Sequence, residues 1–276
     1  MNFAFLQLLS VRFKLWFFGF IVVRQFYSAE EVIDVRERTK RVVWQRGESG
    51  FPHGSYVHSI SALDKEFEDD KFIKLDKLKK SEEILSTVIG VGLTDVGTRT
   101  LQLRLHSPKW HIDCQTFDQH YPFVARSRNF RVYKCGVYLQ KSNDGSGGIE
   151  LKTPFLGGGI KNLCFISSKR FVGASIRVPT FLRKVFRFLC LVSDSIQVYK
   201  VRPNLGPGDL VIFDGGVRHR ASQPRHSSSI IKDTETGFFI DRQDVDGKIM
   251  LQWEFTSKNN FGDAYVAYEN DVKFKR

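Results

Sequence analysis

Short stretches in which apolar and polar residues alternate dominate the second half of the chain. Leu101, Leu103 and Leu105 alternate with Gln102 and Arg104, and this period of two predicts a strand from Thr98 to Leu105. Further stretches rich in Val, Ile, Leu, Phe and Tyr predict strands at Arg131–Gln140, Ile149–Lys152, Ile196–Val201, Leu210–Phe213 and Ile249–Phe255. The change to this pattern begins at Gly97.

The first half has a helical pattern instead. Phe18–Tyr27 is typical of a short strand, after which Ser28 and Glu31 have capping-box spacing and predict a helix to about Trp44. The Gly, Pro and Ser content of residues 47–61 predicts a loop. Further helices are predicted at Ala62–Phe72, Leu75–Ile89 and Phe181–Val192.

These elements predict one domain spanning residues 1–276. Many short strands with helices gathered before them favour a mainly β fold with flanking helices (α+β), an antiparallel jelly roll. We assign helical support to residues 1–95, the β core to 96–256 and a C-terminal extension to 257–276. Turn residues at Asn143–Gly148 predict that Ile149–Lys152 returns as the hairpin partner of Arg131–Gln140.

The charge balance favours an anionic partner. The chain has 42 Lys and Arg against 30 Asp and Glu, a net charge of +12, which suits an anionic small molecule, nucleic acid or a membrane surface. The basic clusters lack the interleaved aromatic residues of a single-strand-binding platform. We therefore consider nucleic acid an unlikely partner and favour a small-molecule substrate that could be anionic.

Cysteine usage and the N-terminus bear on the compartment. The four cysteines are scattered, without a C-x-x-C pair, which argues against a disulfide framework or structural zinc and favours a reducing cytoplasm. Met1–Val23 is strongly apolar, but Arg12 and Lys14 leave apolar runs too short to cross a bilayer on either side. No membrane span is expected, and the sequence does not indicate an oligomeric state.

The candidate chemistry lies in Trp110-His111-Ile112-Asp113. In a strand, side chains two apart share a face, so His111 and Asp113 would present an imidazole and a carboxylate together. His219, after a Gly-Gly turn, is the preferred third ligand. Two histidines and one carboxylate form the facial triad of non-haem Fe(II) oxygenases. The alternative ligands are His106, His120 and His226.

The order of motifs resembles a known family. The H-x-D of His111 and Asp113 is followed by Lys134-Cys-Gly-Val-Tyr138-Leu139, the glycines Gly147-Gly148, and Gly208-Asp-Leu-Val-Ile-Phe213 before His219. Gly19–Phe26 is similar to the usual entry segment. In these features the chain resembles the phytanoyl-CoA dioxygenase-like (PhyH) branch of the Fe(II)/2-oxoglutarate-dependent oxygenases.

The resemblance implies a double-stranded β-helix, the cupin-like jelly roll, in which His111, Asp113 and His219 bind Fe(II). With 2-oxoglutarate and O2 as co-substrates, such an enzyme hydroxylates a C–H bond and releases succinate and CO2. The arginine that usually anchors 2-oxoglutarate is replaced by Ile230, so Lys248 or Arg225 would supply the cation. We prefer Lys248, with residues 227–247 as an insertion.

Tyr138 and Lys134 would complete the co-substrate site implied by the resemblance. The segment Pro154-Phe-Leu-Gly-Gly departs from the family's P-G-S-H motif and alters the expected substrate loop. Two other functions remain open. One is a jelly-roll metalloenzyme that does not use 2-oxoglutarate, and the other is a non-catalytic binding protein on the same fold. The substrate is not indicated.

Overall fold

Antiparallel strands form the body of the protein, and helices pack against both faces of its larger sheet. The computed structural model describes residues 11–12, 14–15, 18–46, 56–59, 72–103, 110–111, 130–140, 148–153, 199–221, 230–232, 239–241 and 249–273. The strands are β1 (Phe20–Val23), β2 (Tyr56–Ser59), β3 (Leu93–Leu103), β4 (Val132–Tyr138), β5 (Ile149–Thr153), β6 (Tyr199–Val201), β7 (Leu210–Asp214), β8 (His219–Ala221), β9 (Ile230–Lys232), β10 (Phe239–Asp241) and β11 (Ile249–Ser257). The helices are α1 (Ala29–Arg46), α2 (Leu75–Ile89) and α3 (Asn260–Tyr268), followed by a π-helical turn, Glu269–Lys273.

The strands form two main sheets. The major sheet has the order β1-β7-β4-β11-β3-β2, and the minor sheet has the order β6-β5-β8. Strands β9 and β10 pair separately as a ribbon. Each described pairing is antiparallel. The predicted mainly β jelly roll with flanking helices is therefore confirmed.

The two faces of the major sheet have different roles. On one face, Cys135, Leu251 and Trp253 pack against α1 and α2 in the main hydrophobic core, where Leu85 is fully buried. Ser81 of α2 accepts a hydrogen bond from Trp253 Nε1 at 3.0 Å. The opposite face carries the next residues along each strand and packs against the minor sheet. The space between the two sheets is where a site can form.

The start of α1 follows the predicted capping box. Ser28 N donates to Glu31 Oε2 at 2.8 Å, and Glu31 N donates to Ser28 Oγ at 3.2 Å. The same Glu31 carboxylate accepts from Lys77 Nζ at 2.7 Å, which ties α1 to α2. Burial by itself raises the pKa of Glu31, but the hydrogen bonds from Lys77 and Ser28, together with the charges of Lys77 and Lys74, outweigh it and lower the pKa.

Three sequence predictions need correction. Ile149–Lys152 is not the hairpin partner of β4, because β5 pairs with β6 and β8 in the minor sheet while β4 pairs with β7 and β11. The predicted loop at 47–61 contains β2, which extends the sheet beside β3. Strand β3 starts at Leu93 rather than Thr98 and forms an irregular, bulged pairing with β11. The insertion at 227–247 stays a prediction, and within it β9 and β10 pair as a ribbon.

Elements outside the predicted β core also take part in it. Strands β1 and β2 come from residues 1–95 and lie in the major sheet, and α3 comes from the C-terminal extension and packs on the same sheet. The predicted turn at 143–147 and the predicted helices at 62–71 and 181–192 lie outside the described residues. Among the helices described, none is long and apolar enough to cross a membrane.

Candidate metal centre and pocket

His111 and His219 are direct cross-strand neighbours. Each backbone N–H donates to the other residue's carbonyl at 3.0 Å, and the two imidazole ring centroids are 4.4 Å apart. His219 is the first residue of β8, and His111 joins it through a single β-bridge. Because directly opposed residues share a face of the sheet, both rings lie on the side that faces the major sheet. Two of the three predicted ligands are therefore adjacent, although they are more than a hundred residues apart in sequence.

The ring of His219 is held in one tautomer. Its Nδ1 lies 3.0 Å from the carbonyl oxygen of Val217. A carbonyl can only accept, so Nδ1 carries a hydrogen, and Nε2 is the nitrogen through which the neutral ring would bind a metal. The ring is buried and packs on Phe213, with 4.7 Å between ring centroids. A hydrogen bond of this kind is how proteins orient a metal-binding imidazole.

Both histidines line a cavity between the sheets. The cavity has a volume of about 120 Å³ and is partly open to solvent, so it is smaller than the range of about 300–1,000 Å³ typical of sites for drug-sized molecules. Apolar side chains on one side, from Val211, Phe213 and Met250, limit the access of water. A small-molecule ligand would therefore be in contact with both imidazoles.

The cavity wall also carries a pair of amides. Gln102 of β3 and Gln252 of β11 both line it, and Gln102 Nε2 donates to Gln252 Oε1 at 2.5 Å. Each side-chain amide has two N–H donors and one carbonyl acceptor. The single hydrogen bond between them therefore uses only part of the hydrogen-bonding capacity of the two amides. The remaining donors and the Gln102 carbonyl can serve a polar ligand.

Lys134 lies on the cavity wall but is already paired. Its ammonium lies 2.7 Å from Glu254 Oε1, and the two side chains are only 6% and 2% exposed. Tyr265 of α3 donates its hydroxyl to the other Glu254 oxygen at 3.0 Å. If Lys134 contacts the co-substrate as predicted, its ammonium would have to interact with Glu254 and with the co-substrate at the same time.

Tyr138 and Cys135 lie on opposite faces of β4. Tyr138 lines the cavity, and burial raises its pKa well above the ordinary tyrosine value, so it stays protonated at neutral pH and can donate a hydrogen bond. Cys135 lies in the main core. Burial, with the nearby charges of Glu254 and Asp95, raises the pKa of its thiol. A neutral, buried thiol is neither a nucleophile nor a metal ligand.

The structure tests the predicted site only in part. It places His111, His219, Tyr138 and Lys134 on one cavity. Asp113, Lys248 and Arg225 lie outside the described residues, as do the alternative ligands His106, His120 and His226. Within the described part of the chain, no group of three His, Cys, Asp or Glu side chains forms a metal cluster. The role of Asp113 as third ligand thus stays a prediction.

Gln102, Gln252 and Glu254 were not predicted from the sequence to belong to the site. All three are polar positions in alternating strands, so their shared face could have been found from the period of two. We interpreted Gln102 as the polar side of its strand, and the partner that encloses that side, the minor sheet, is distant in sequence.

His111 and His219 are suitable ligands for a divalent transition metal. Imidazole suits iron, zinc, copper and nickel. The His219 ring donates from Nδ1 to the Val217 carbonyl, and the His111 ring lies beside it. The chemistry of this donor pair therefore agrees with the metal predicted from the sequence.

No protein-family model and no curated protein matches the sequence. Solved structures do resemble the fold. EvdO2 from Micromonospora carbonacea var. aurantiaca is 15% identical with a TM-score of 0.52, and the match covers 90% of each chain. AviO1 from Streptomyces viridochromogenes Tue57 is 12% identical with a TM-score of 0.51, over 91% of this chain and 95% of that one.

A third similar structure is SnoN, a non-haem α-ketoglutarate-dependent epimerase from nogalamycin biosynthesis. It is 10% identical with a TM-score of 0.50, and the match covers 95% of this chain and 88% of SnoN. At these identities the likeness establishes the fold. It agrees with the double-stranded β-helix that the motif order implied.

Proposed function

We propose that this protein is an Fe(II)- and 2-oxoglutarate-dependent oxygenase that hydroxylates a C–H bond of a small molecule. The observation that carries the proposal is the adjacent pair His111 and His219, with Nδ1 of His219 donating to the Val217 carbonyl, at a cavity between two sheets. The same fold supports it, since SnoN is an α-ketoglutarate-dependent enzyme and EvdO2 has been solved with 2-oxoglutarate (TM-score 0.50).

His219 through Nε2, His111 and Asp113 would hold the iron. When bound, iron with 2-oxoglutarate and O2 supplies the oxidising chemistry and releases succinate and CO2. The two protein imidazoles are held at a fixed separation by paired backbone hydrogen bonds, and the Val217 carbonyl keeps the proton on His219 Nδ1. The two imidazoles are thus held in place before a metal binds.

The cavity residues would orient the organic ligands. Val211, Phe213 and Met250 exclude water, while Tyr138 donates a hydrogen bond and the Gln102–Gln252 pair offers further polar contacts. A dicarboxylate also needs a cation. Lys248 or Arg225 would supply it, as the sequence predicts, because Lys134 is balanced by Glu254.

Succinate formation tests the proposal. Purified protein with Fe(II), ascorbate and labelled 2-oxoglutarate is assayed alone and with candidate small molecules, including anionic ones. We expect turnover in the wild type and its loss in His111→Ala, Asp113→Ala and His219→Ala. His58→Ala, in the edge strand β2, is the matched control and should keep turnover. Normal turnover in His219→Ala would contradict the proposal.

A specific observation supports a second candidate, a jelly-roll metalloenzyme that does not use 2-oxoglutarate. The two basic residues in the described cavity wall, Lys134 and Arg220, are paired with Glu254 and Glu150 respectively. Metal binding without any response to 2-oxoglutarate would favour this candidate. Replacing Lys248 and Arg225 singly would then change no ligand affinity, whereas under the first candidate one of the two changes weakens 2-oxoglutarate binding.

A further inference from the structure

A row of interacting side chains lies on the outer face of the minor sheet, directly behind the two histidines. We call it the outer ladder, and it consists of Trp110, Arg220, Glu150 and Arg202. The strand register explains it: His219 is opposite both His111 and Leu151, so the preceding and following residues fall in the next row. Side chains alternate along a strand, so this row lies on the face of the minor sheet opposite the two imidazoles, although Arg220 also borders the cavity.

The ladder is continuous from one end to the other. The Arg220 guanidinium carbon lies 4.7 Å from the centre of the Trp110 ring. On its other side, Arg220 donates to Glu150 Oε2 from Nε at 2.8 Å and from Nη2 at 2.7 Å. Arg202 donates to the second oxygen, Oε1, at 2.5 Å. Arg220 thus links the residue before His111 to the strand that carries Leu151.

The ladder is largely enclosed. The side chains of Glu150 and Arg220 are 9% and 16% exposed, whereas that of Arg202 is 29% exposed. Burial alone raises the pKa of Glu150, but the hydrogen bonds and charges of Arg202 and Arg220 together outweigh it and lower the pKa. Glu150 therefore stays charged at neutral pH, and the interactions are more than a solvated surface pair.

Among the described residues, the backbone pairing that joins the two histidines is short. His111 joins β8 through one isolated bridge, and β8 itself has three residues. A slip of one residue in such a pairing would move an imidazole to the opposite face. A three-residue strand forms few backbone hydrogen bonds, so these bonds alone add little to the stability of its pairing. Side-chain contacts on the other face can supply the missing specificity.

We propose that the outer ladder positions the metal site, with Arg220 as the positioning residue that fixes His219 against His111. The proposal rests on the proposed function for the role of the two histidines. Arg220 is suited to this task because its guanidinium is flat and rigid, so it can stack on an aromatic ring while two of its N–H groups donate to one carboxylate in a fixed geometry; a lysine ammonium is a point charge on a flexible stem. Lys152 Nζ also lies 4.6 Å from the Trp110 ring centre and adds a second contact to the same ring.

Two variants with a common partner separate positioning from general stabilisation. Arg220→Met and Arg202→Met each remove one arginine from Glu150, but only Arg220 is next to His219 and in contact with Trp110. Co(II) binding to the full-length protein is followed by its visible absorption. We expect Arg220→Met to weaken Co(II) binding by about 10- to 100-fold, the range seen when groups that orient metal ligands are removed. Arg202→Met should keep both the affinity and the absorption spectrum.

Trp110 provides a second pair. Trp110→Phe retains an aromatic face for Arg220 and should keep most of the affinity, whereas Trp110→Leu should lose it. These variants keep the proposal testable if Arg220→Met does not fold. Equal effects of Arg220→Met and Arg202→Met, or of Trp110→Phe and Trp110→Leu, would overturn it.

A metal-free measurement separates this proposal from the proposed function. In apo protein, two-dimensional NMR of the imidazole nitrogens and the ring-to-ring contact between His111 and His219 report their geometry directly. Arg220→Met should shift these signals and weaken the contact, and Arg202→Met should not. If the wild type binds no metal while this NMR difference is present, the proposed function fails and the ladder stands. If the NMR signals are the same in both variants, the ladder proposal fails whatever the metal does.

Discussion

Replacing Glu254 with Gln should strongly destabilise the protein. The Lys134–Glu254 pair joins β4 to β11 at 2.7 Å, with both side chains almost wholly buried. Gln keeps the shape and can still accept from Tyr265, but the ammonium of Lys134 loses its counter-charge. Breaking a buried pair on one side costs about 3–5 kcal/mol, because an uncompensated charge remains in a poorly solvated position. The free energy of unfolding should fall by this amount.

The double variant Lys134→Met with Glu254→Gln tests the cause. It removes both charges, so most of the loss should be recovered, since neutral side chains of similar volume often replace such pairs at little cost. Urea denaturation at 25 °C, followed by far-UV circular dichroism, gives the free energies for the double-mutant cycle. A loss below about 1 kcal/mol in Glu254→Gln, or a double variant as unstable as the sum of the single ones, would refute the reasoning.

Three further predictions concern stability. Gly208→Ala should lower the free energy of unfolding more than Gly97→Ala does. Both glycines have a φ near +80°, a conformation that costs alanine about 1–2 kcal/mol. At Gly208 a Cβ would also lie 2.5 Å from the backbone oxygen of Tyr27, whereas at Gly97 it would meet no atom within 4 Å. Ser81→Ala should cost about 1–3 kcal/mol in urea denaturation, because it leaves the buried indole N–H of Trp253 without its acceptor; no loss would contradict that role. Glu150→Gln should have a lower free energy of unfolding than the wild type at neutral pH. The difference should disappear as pH falls from about 4.3, the pKa of glutamate in unfolded chains, through the lowered pKa of Glu150 in the folded protein. A difference that persists in strong acid would contradict the role of the ion pairs.

Local patterns were sufficient for the elements that depend on local chemistry. The capping box at Ser28 and Glu31 forms as predicted, and α2 has the predicted bounds, Leu75–Ile89. The stretches rich in Val, Ile, Leu, Phe and Tyr located β4, β7 and β11 to within a few residues. These predictions succeed because hydrogen bonds and side-chain periodicity within a short segment decide them.

Pairing between distant strands could not be predicted in the same way. The turn at Asn143–Gly148 favoured a hairpin of β4 with β5, but β5 is drawn into the minor sheet by β8 and by the apolar side chain of Leu151. For the site, His111 and His219, which the motifs predicted to act together, both line one cavity. The burial of Lys134 against Glu254 depends on α3 and the minor sheet, which no local pattern in β4 reveals.

Calorimetric titration of 2-oxoglutarate under anaerobic conditions tests the central claim most directly. The titration is made into metal-free protein, into protein loaded with Fe(II), and into His219→Ala treated in the same way. The account predicts saturable binding only in the Fe(II)-loaded wild type, because the co-substrate is held jointly by the metal and the cavity. Fe(II) binding with no response to 2-oxoglutarate, or equal binding of 2-oxoglutarate by His219→Ala, would contradict it.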